Sequence, residues 1–335
     1  NTSSVLFINL ESIKENYNLL KKLANKSEVA VAIKANAYGL GLNKICKTLI
    51  SQGCKTFFVA SIQEGLEIVK IKKNLNVYVL NGSSNEKSTI SLIKKGVKIV
   101  VNNHQQLIDL IRTSNKINLK AECAVHIDTG MNRLGVDVAE AEKIVKIAKN
   151  KLRLSLVMSH LSCSENKSSQ MNHLQLLKFK SVMKKLVKYK ELKFSIANSN
   201  GILLGKKFHF DLCRPGGLIY GLNLNKLKKN SFRGVLSLKA KVLQVKTINK
   251  GEYIGYGAKY KAKKRTVIAT LGIGYADGLP RSFSGQVYYK TNKFPIVGNI
   301  SMDLCTIDIT NLSTLKIGDW VEIFGKSVSV EKFAN

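Results

Sequence analysis

The sequence predicts an α/β chain: a (β/α)8 TIM barrel followed by a mostly antiparallel β domain. Two observations carry this. From residue 29 to about 221, a short β-rich run, a polar loop and an amphipathic helical stretch alternate through eight rounds. After about residue 228 the texture changes to β-like runs separated by Gly, Asn and Asp turns. Eight alternations in order favour a closed barrel over an open doubly wound sheet, although six or seven true units give a similar pattern. The 335 residues are long for one domain and comfortable for two.

The β-rich runs fall at 29–34, 57–61, 77–80, 98–102, 121–128, 152–160, 194–199 and 211–220. Helical stretches between them are predicted at 42–52, 62–72, 86–95, 104–112, 138–150 and 170–189, with a short one near 201–205. Ser61-x-x-Glu64 reads as a capping box for the second of these. Val138, Ala141, Ile144, Val145 and Ala148 keep a helical apolar stripe. In the second domain, strands are expected at 235–246, 266–274, 286–289, 294–297, 304–309 and 320–324. The apolar start, 5–10, can add a strand to them. This divides the chain into a barrel at 9–228 and a β domain at 229–335 together with 1–8.

Composition narrows the classes. Hydrophobic residues make up 44% of the chain, ample for a sizeable core. No apolar run approaches the roughly 18 residues a membrane span needs, and the first residues do not form a signal peptide. The missing initiator Met suggests a trimmed or renumbered chain. The six cysteines are scattered, with neither C-x-x-C pairs nor metal-ligand spacing, which fits reduced thiols in the cytoplasm and no metal. A net charge of +32 invites a nucleic-acid reading. Its lysines, however, are interleaved with core-spaced Leu, Val and Met on helices, without an Arg-rich arm or aromatic–basic alternation. Solvated lysine faces explain the charge better, and an anionic substrate or cofactor remains compatible with it.

In such a barrel, chemistry sits at the C-terminal strand ends. Polar groups recur there: Lys34, Asn81, Asn102, His126 with Asp128, His160, Asn198 with Ser199, and Arg214. Lys34 closes the buried run Val-Ala-Val-Ala-Ile and enters the loop Ala-Asn-Ala-Tyr-Gly. A lysine so placed either reaches out to solvent or loses hydration, and a desolvated amine can condense with an aldehyde cofactor as a Schiff base. Arg133, presented by the Gly turn of His126-Ile-Asp-Thr-Gly-Met-Asn-Arg133, suits a substrate carboxylate because its planar fork binds two oxygens. Ala-Asn198-Ser199-Asn-Gly and Arg214-Pro-Gly216-Gly217 are small-residue segments of the kind that cup a phosphate. Tyr256 stands between glycines in Gly-Tyr-Gly-Ala, where close approach of a partner surface is possible. Each of these also reads as an ordinary turn.

Taken together, the segments resemble alanine racemase, the pyridoxal-phosphate enzyme of fold type III, along nearly the whole chain. Ala-Ile-Lys-Ala-Asn-Ala-Tyr-Gly and Asp-Thr-Gly-Met-Asn-Arg-Leu-Gly are shared with related decarboxylases and cofactor-binding barrels. Gly-Tyr-Gly-Ala, Gly-Tyr-Ala-Asp-Gly (274–278) and Gly-Asn-Ile-Ser-Met-Asp (298–303) point to the racemase. The resemblance implies pyridoxal 5'-phosphate on Lys34 and a two-base interconversion of L- and D-alanine, with Lys34 and Tyr256 of the other subunit as the bases. It implies cofactor contacts from Tyr38, His160, Asn198, Ser199, Arg214, Gly216 and Gly217, with Arg214 at the pyridine nitrogen and His160 linking it to the tyrosine. Arg133, Met302 and Asp303 would meet the substrate. It further implies a cytoplasmic homodimer with shared sites, supplying D-alanine for peptidoglycan, with no nucleic-acid or membrane partner.

Two departures accompany the resemblance. His126 stands where many family members carry a carbamylated lysine that orients the arginine equivalent to Arg133, so Asp128, a water or a bound anion must hold it here. The chain also stops at 335, before the helix, strand and phosphate-binding tyrosine with which the family usually continues. These keep a broader amino-acid racemase or β-lyase of the same fold open. A non-catalytic pyridoxal-phosphate barrel is opposed by residues 228–335 and Tyr256.

Overall fold

The computed structural model describes residues 2–83, 85–222, 232–311 and 314–334, which form two compact units, Leu10–Arg233 and Asn1–Asn9 with Gly234–Asn335. The expected boundary at 228/229 lies outside the described residues.

The larger unit is the predicted barrel. Its parallel strands are Glu28–Val29 with Val31–Ala32, Thr56–Val59, Asn76–Val79, Lys98–Val101, Glu122–Asp128, Arg153–Met158, Lys193–Ser195 and Leu212–Cys213. Leu212–Cys213 pairs back onto Glu28–Val29, and a parallel bridge from Asn198 to Arg214 joins the last two strands, so the ring closes. Alternate residues point inward. Ala30, Phe58, Tyr78, Val100, Ala124, Leu156, Met158 and Leu212 therefore meet in one buried cluster inside the ring, with Phe58 stacked on Tyr78 at 4.8 Å. The same parity carried two residues further gives Asn102, His126, His160 and Arg214, all at the C-terminal end.

The helices lie where the apolar stripes place them, with shifts that have local causes. The Ile62–Ile71 helix opens with the expected capping box, the Glu64 N–H donating to Ser61 Oγ. The helix expected from 138 begins at Ala141, because Val136–Asp137 pairs in parallel with Ile127–Asp128 and the chain then turns through Asp137 and Glu140. The helix from His104 runs on to Lys116. A helix at Leu10–Ala24 precedes the barrel; its buried Ile13, Tyr17, Leu20 and Ala24 keep the three–four spacing of an apolar face, a pattern the sequence reading passed over.

The smaller unit is antiparallel. Its order is Asn292–Pro295, Gln286–Tyr289, Trp320–Phe324, Leu236–Ile248, Thr266–Leu271, Cys305–Asp308, and Ser4–Ile8 pairs along the long strand. Val242, Ala269, Leu271, Ile307, Val321 and Ile323 form its core. A separate hairpin, Tyr253–Ile254 with Tyr260–Lys261, carries Tyr256 at its tip.

Candidate active site

Lys34 is half-buried and begins a tight turn rather than an ordinary loop. Ala35, Asn36, Ala37 and Tyr38 all take left-handed angles, φ +53° to +57°, without a glycine among them. Such a turn costs L-residues roughly 1–2 kcal/mol each, asparagine less. Alanine, with the smallest side chain, occupies two of the four positions. The turn is held by its own bonds, Ala37 N–H to Ile33 O at 2.9 Å and Gly39 N–H to Ala35 O at 2.8 Å. Two further clamps come from side chains: the Leu42 N–H donates to Asn36 Oδ1 (2.7 Å), and the Asn36 N–H donates to Glu64 Oε1 (3.0 Å). At its far end the Tyr38 ring lies 4.6 Å from that of Tyr220, whose hydroxyl donates to Ala32 O. Tyr38 is 37% exposed, yet burial of its phenol still lifts it above the usual tyrosine range.

On the neighbouring strand stands Arg214, 4% exposed. Its guanidinium donates to Ser195 Oγ and Ser159 O and lies 5.7 Å over the Phe58 ring. Among the described residues no carboxylate pairs with it. Burial lowers its pKa to about 10, which leaves it cationic at neutral pH. The next residues build a small-residue cup. Ser199 Oγ accepts the N–H groups of Gly216 (2.9 Å) and Leu218 (3.3 Å). A Cβ at Gly216 would lie 2.3 Å from Tyr38 Oη, so only glycine admits the phenol there. Asn198 faces the chain rather than the cup: its Oδ1 accepts from Gly201 N–H (2.9 Å) and Ser164 Oγ (2.8 Å).

The two histidines are neutral. Burial first, and then the Arg214 charge, push His126 down to about 4, and the same causes take His160 well below the usual histidine range. The charges of Arg133 and Lys34 add to the effect on His160, so these cations share its surroundings. His126 Nδ1 is 2.9 Å from Asn102 Oδ1. Arg133 lies exposed on the following loop and has no carboxylate partner among the described residues. Asp128, one of the three candidates to hold it, makes no ion pair with it: its Oδ1 accepts the N–H groups of Gly130 (2.8 Å), Met131 (2.9 Å) and Asn132 (3.2 Å) and thereby shapes the loop.

The barrel thus collects Lys34, Tyr38, His126, His160, Asn198, Ser199, Arg214, Gly216 and Gly217 at its C-terminal end. Tyr256, Met302 and Asp303 belong to the β unit. Tyr256 is 68% exposed beside a cavity of about 590 Å³ lined by Lys259, Arg281 and Asn299. It sits between Gly255 and Gly257, at φ +71° and +74°. Met302 and Asp303 are exposed. Their loop is zipped to the 274–278 loop by Tyr275 N–H to Ser301 O and Ala276 N–H to Met302 O. Gly274 has no room for a Cβ, which would meet Met302 O at 2.3 Å. Sequence reading saw Glu64 only as a helix cap and missed Phe58, Ser195 and Tyr220. Inward parity was the available signal for Phe58 and Ser195; nothing local marked Tyr220.

Comparison with known proteins agrees with the two-part fold. The family model of the alanine racemase N-terminal domain matches residues 8–224, and that of the alanine racemase C-terminal domain matches residues 235–335. The chain is 40% identical to "Alanine racemase" of Rickettsia africae (strain ESF-5) over 336 residues, covering 98% of this chain and 92% of that protein. The alanine racemase of Bartonella henselae, solved with covalently bound pyridoxal phosphate, superposes with a TM-score of 0.94 at 36% identity. That match covers 100% of this chain and 94% of the other. The biosynthetic alanine racemase of Pseudomonas aeruginosa follows at 0.90 and 26%, covering 100% of this chain and 93% of the other. With a model matched to each of its two units and full-length relatives of one kind, this chain belongs to the alanine racemase family.

Proposed function

We propose that the chain is a pyridoxal-phosphate-dependent alanine racemase, with Lys34 as the cofactor lysine. One observation carries this reading: a half-buried lysine, a buried arginine with no acid partner among the described residues and a glycine cup closed by a phenol converge at one barrel end. The residues fit the cofactor. Tyr38 Oη, Ser199 Oγ and the backbone of Gly216 and Gly217 suit its phosphate, where a side chain at Gly216 would collide with the phenol. Arg214 suits the ring nitrogen: a permanent cation there discourages ring protonation.

When bound, pyridoxal phosphate supplies an electron-withdrawing ring that acidifies the α-proton of the attached amino acid. Racemisation then needs one group on each face of Cα. Lys34 Nζ takes or returns the proton on one face. Tyr256 Oη of the partner subunit in a homodimer does so on the other, as its exposure on a glycine-flanked hairpin tip allows. Neutral His160 lies among the cations without adding another charge. Arg133 takes the substrate carboxylate through its guanidinium fork, and Met302 and Asp303 of the partner subunit wall the substrate. D-Alanine for peptidoglycan is the product this implies. A cytoplasmic setting fits the six free cysteines; no described helix is long and apolar enough to cross a membrane. Arg133, with no carboxylate partner among the described residues, favours a second reading, a racemase with relaxed selectivity among small amino acids, since a methylene is worth only about 1–3 kcal/mol in a pocket.

Absorbance before and after borohydride, with peptide mapping of the trapped cofactor, tests the lysine. Exchange of the α-proton of both alanine enantiomers in deuterated water tests the reaction. Label fixed to Lys34 and exchange with inversion are expected. Cofactor on another lysine, or exchange of one enantiomer without inversion, defeats the proposal.

A further inference from the structure

A single carboxylate joins the turn that carries Lys34 to the neighbouring β/α unit. Glu64 Oε1 accepts the Asn36 N–H at 3.0 Å, and Oε2 accepts the N–H groups of Ala60 and Ser61, each at 3.0 Å. The last of these, with the Glu64 N–H to Ser61 Oγ, is an ordinary capping box. The bond to Asn36 is not required by any helix. It reaches 28 residues back in sequence, to the second of four successive left-handed residues. Such angles persist only where surroundings over-determine them, and Lys34 and Tyr38 stand at the two ends of this stretch.

We infer that Glu64 is a positioning residue: by holding the Asn36 N–H it keeps the strained turn formed and presents Lys34 and Tyr38 together to one ligand. This rests on the reading of Lys34 as the cofactor lysine. Three N–H groups donating to its two oxygens favour the ionised carboxylate. Burial alone would raise the Glu64 carboxyl, but the N–H groups of Asn36, Ser61 and Ala60 and the Ser61 hydroxyl outweigh it and hold it below the usual range. A carboxamide of the same size has one acceptor oxygen, and its NH2 would face an N–H donor.

The test compares the cofactor-loaded wild type with Glu64→Gln and Ser61→Ala, using backbone amide exchange over residues 33–42, pyridoxal-phosphate dissociation, and kcat and KM for alanine. Glu64→Gln is expected to speed exchange across the turn and weaken cofactor retention by about tenfold each, the loss of one charged hydrogen bond. Its kcat falls while its KM stays within about threefold. Ser61→Ala, which disrupts the capping box and spares the Asn36 bond, leaves all these values near wild type. Wild-type exchange in Glu64→Gln, or the same losses in Ser61→Ala, would overturn the inference. If borohydride traps no cofactor on Lys34 of the wild type, the functional reading fails instead, and the exchange comparison still decides whether Glu64 holds the turn.

Discussion

At His126 one hydrogen bond sets the tautomer. The Asn102 amide nitrogen faces the carbonyls of Leu80 (2.9 Å) and Val100 (3.3 Å), so its oxygen faces His126 Nδ1. Nδ1 therefore carries the hydrogen and Nε2 is left with a lone pair. Burial and the Arg214 charge keep that imidazole neutral. The state has a consequence in acid. His126 is held at about 4 against 6.5 for a free histidine, so between these values the unfolded chain binds the extra proton and the folded one does not. Stability on this account is fully present above pH 6.5 and falls as pH drops toward 4, by about 1.4 kcal/mol per unit within the window. Urea unfolding at several pH values should show that loss, with buried His160 adding a slope of the same sign, and His126→Gln should make the dependence shallower without abolishing it. A variant as acid-sensitive as the wild type would show that the slope arises elsewhere.

At the scale of elements, the strand runs and most helices were legible because apolar periodicity is a local signal. The lysine turn was not. It read as a loop, since alanine and tyrosine have no intrinsic preference for left-handed angles, and the groups that stabilise it, Glu64 and Tyr220, are distant in sequence. The start of the helix at Ala141 had the same kind of cause, a short parallel pairing of Val136–Asp137 that no helical stripe announces. The Arg133 loop is a third example, wound around the Asp128 carboxylate by three N–H bonds. Asp128→Ala removes all three without touching the guanidinium. It should raise the alanine KM by about tenfold and change kcat much less, the pattern of lost uniform binding. A kcat loss at unchanged KM would assign Asp128 a role in the proton transfers instead.

For the whole molecule, the proposed division of labour between subunits is open to a direct count. Lys34→Ala and Tyr256→Phe each disable both sites of a homodimer. Random mixing of the two variants makes half the dimers mixed, and each mixed dimer regains one intact site of two, so roughly a quarter of wild-type activity should return. No recovery, from variants shown to exchange subunits, would place both bases in one chain.

The sequence by itself determined the barrel and the β domain and nominated Lys34, Arg214 and Tyr256 as candidates, because periodicity and residue type are written locally. Only the tertiary structure decided the left-handed turn beneath Lys34, the absence of a carboxylate partner for Arg214 among the described residues, the Asn102–His126 bond and the use of Asp128 to shape the Arg133 loop. Each depends on which groups meet across the barrel mouth, where burial makes one added or missing hydrogen bond decisive.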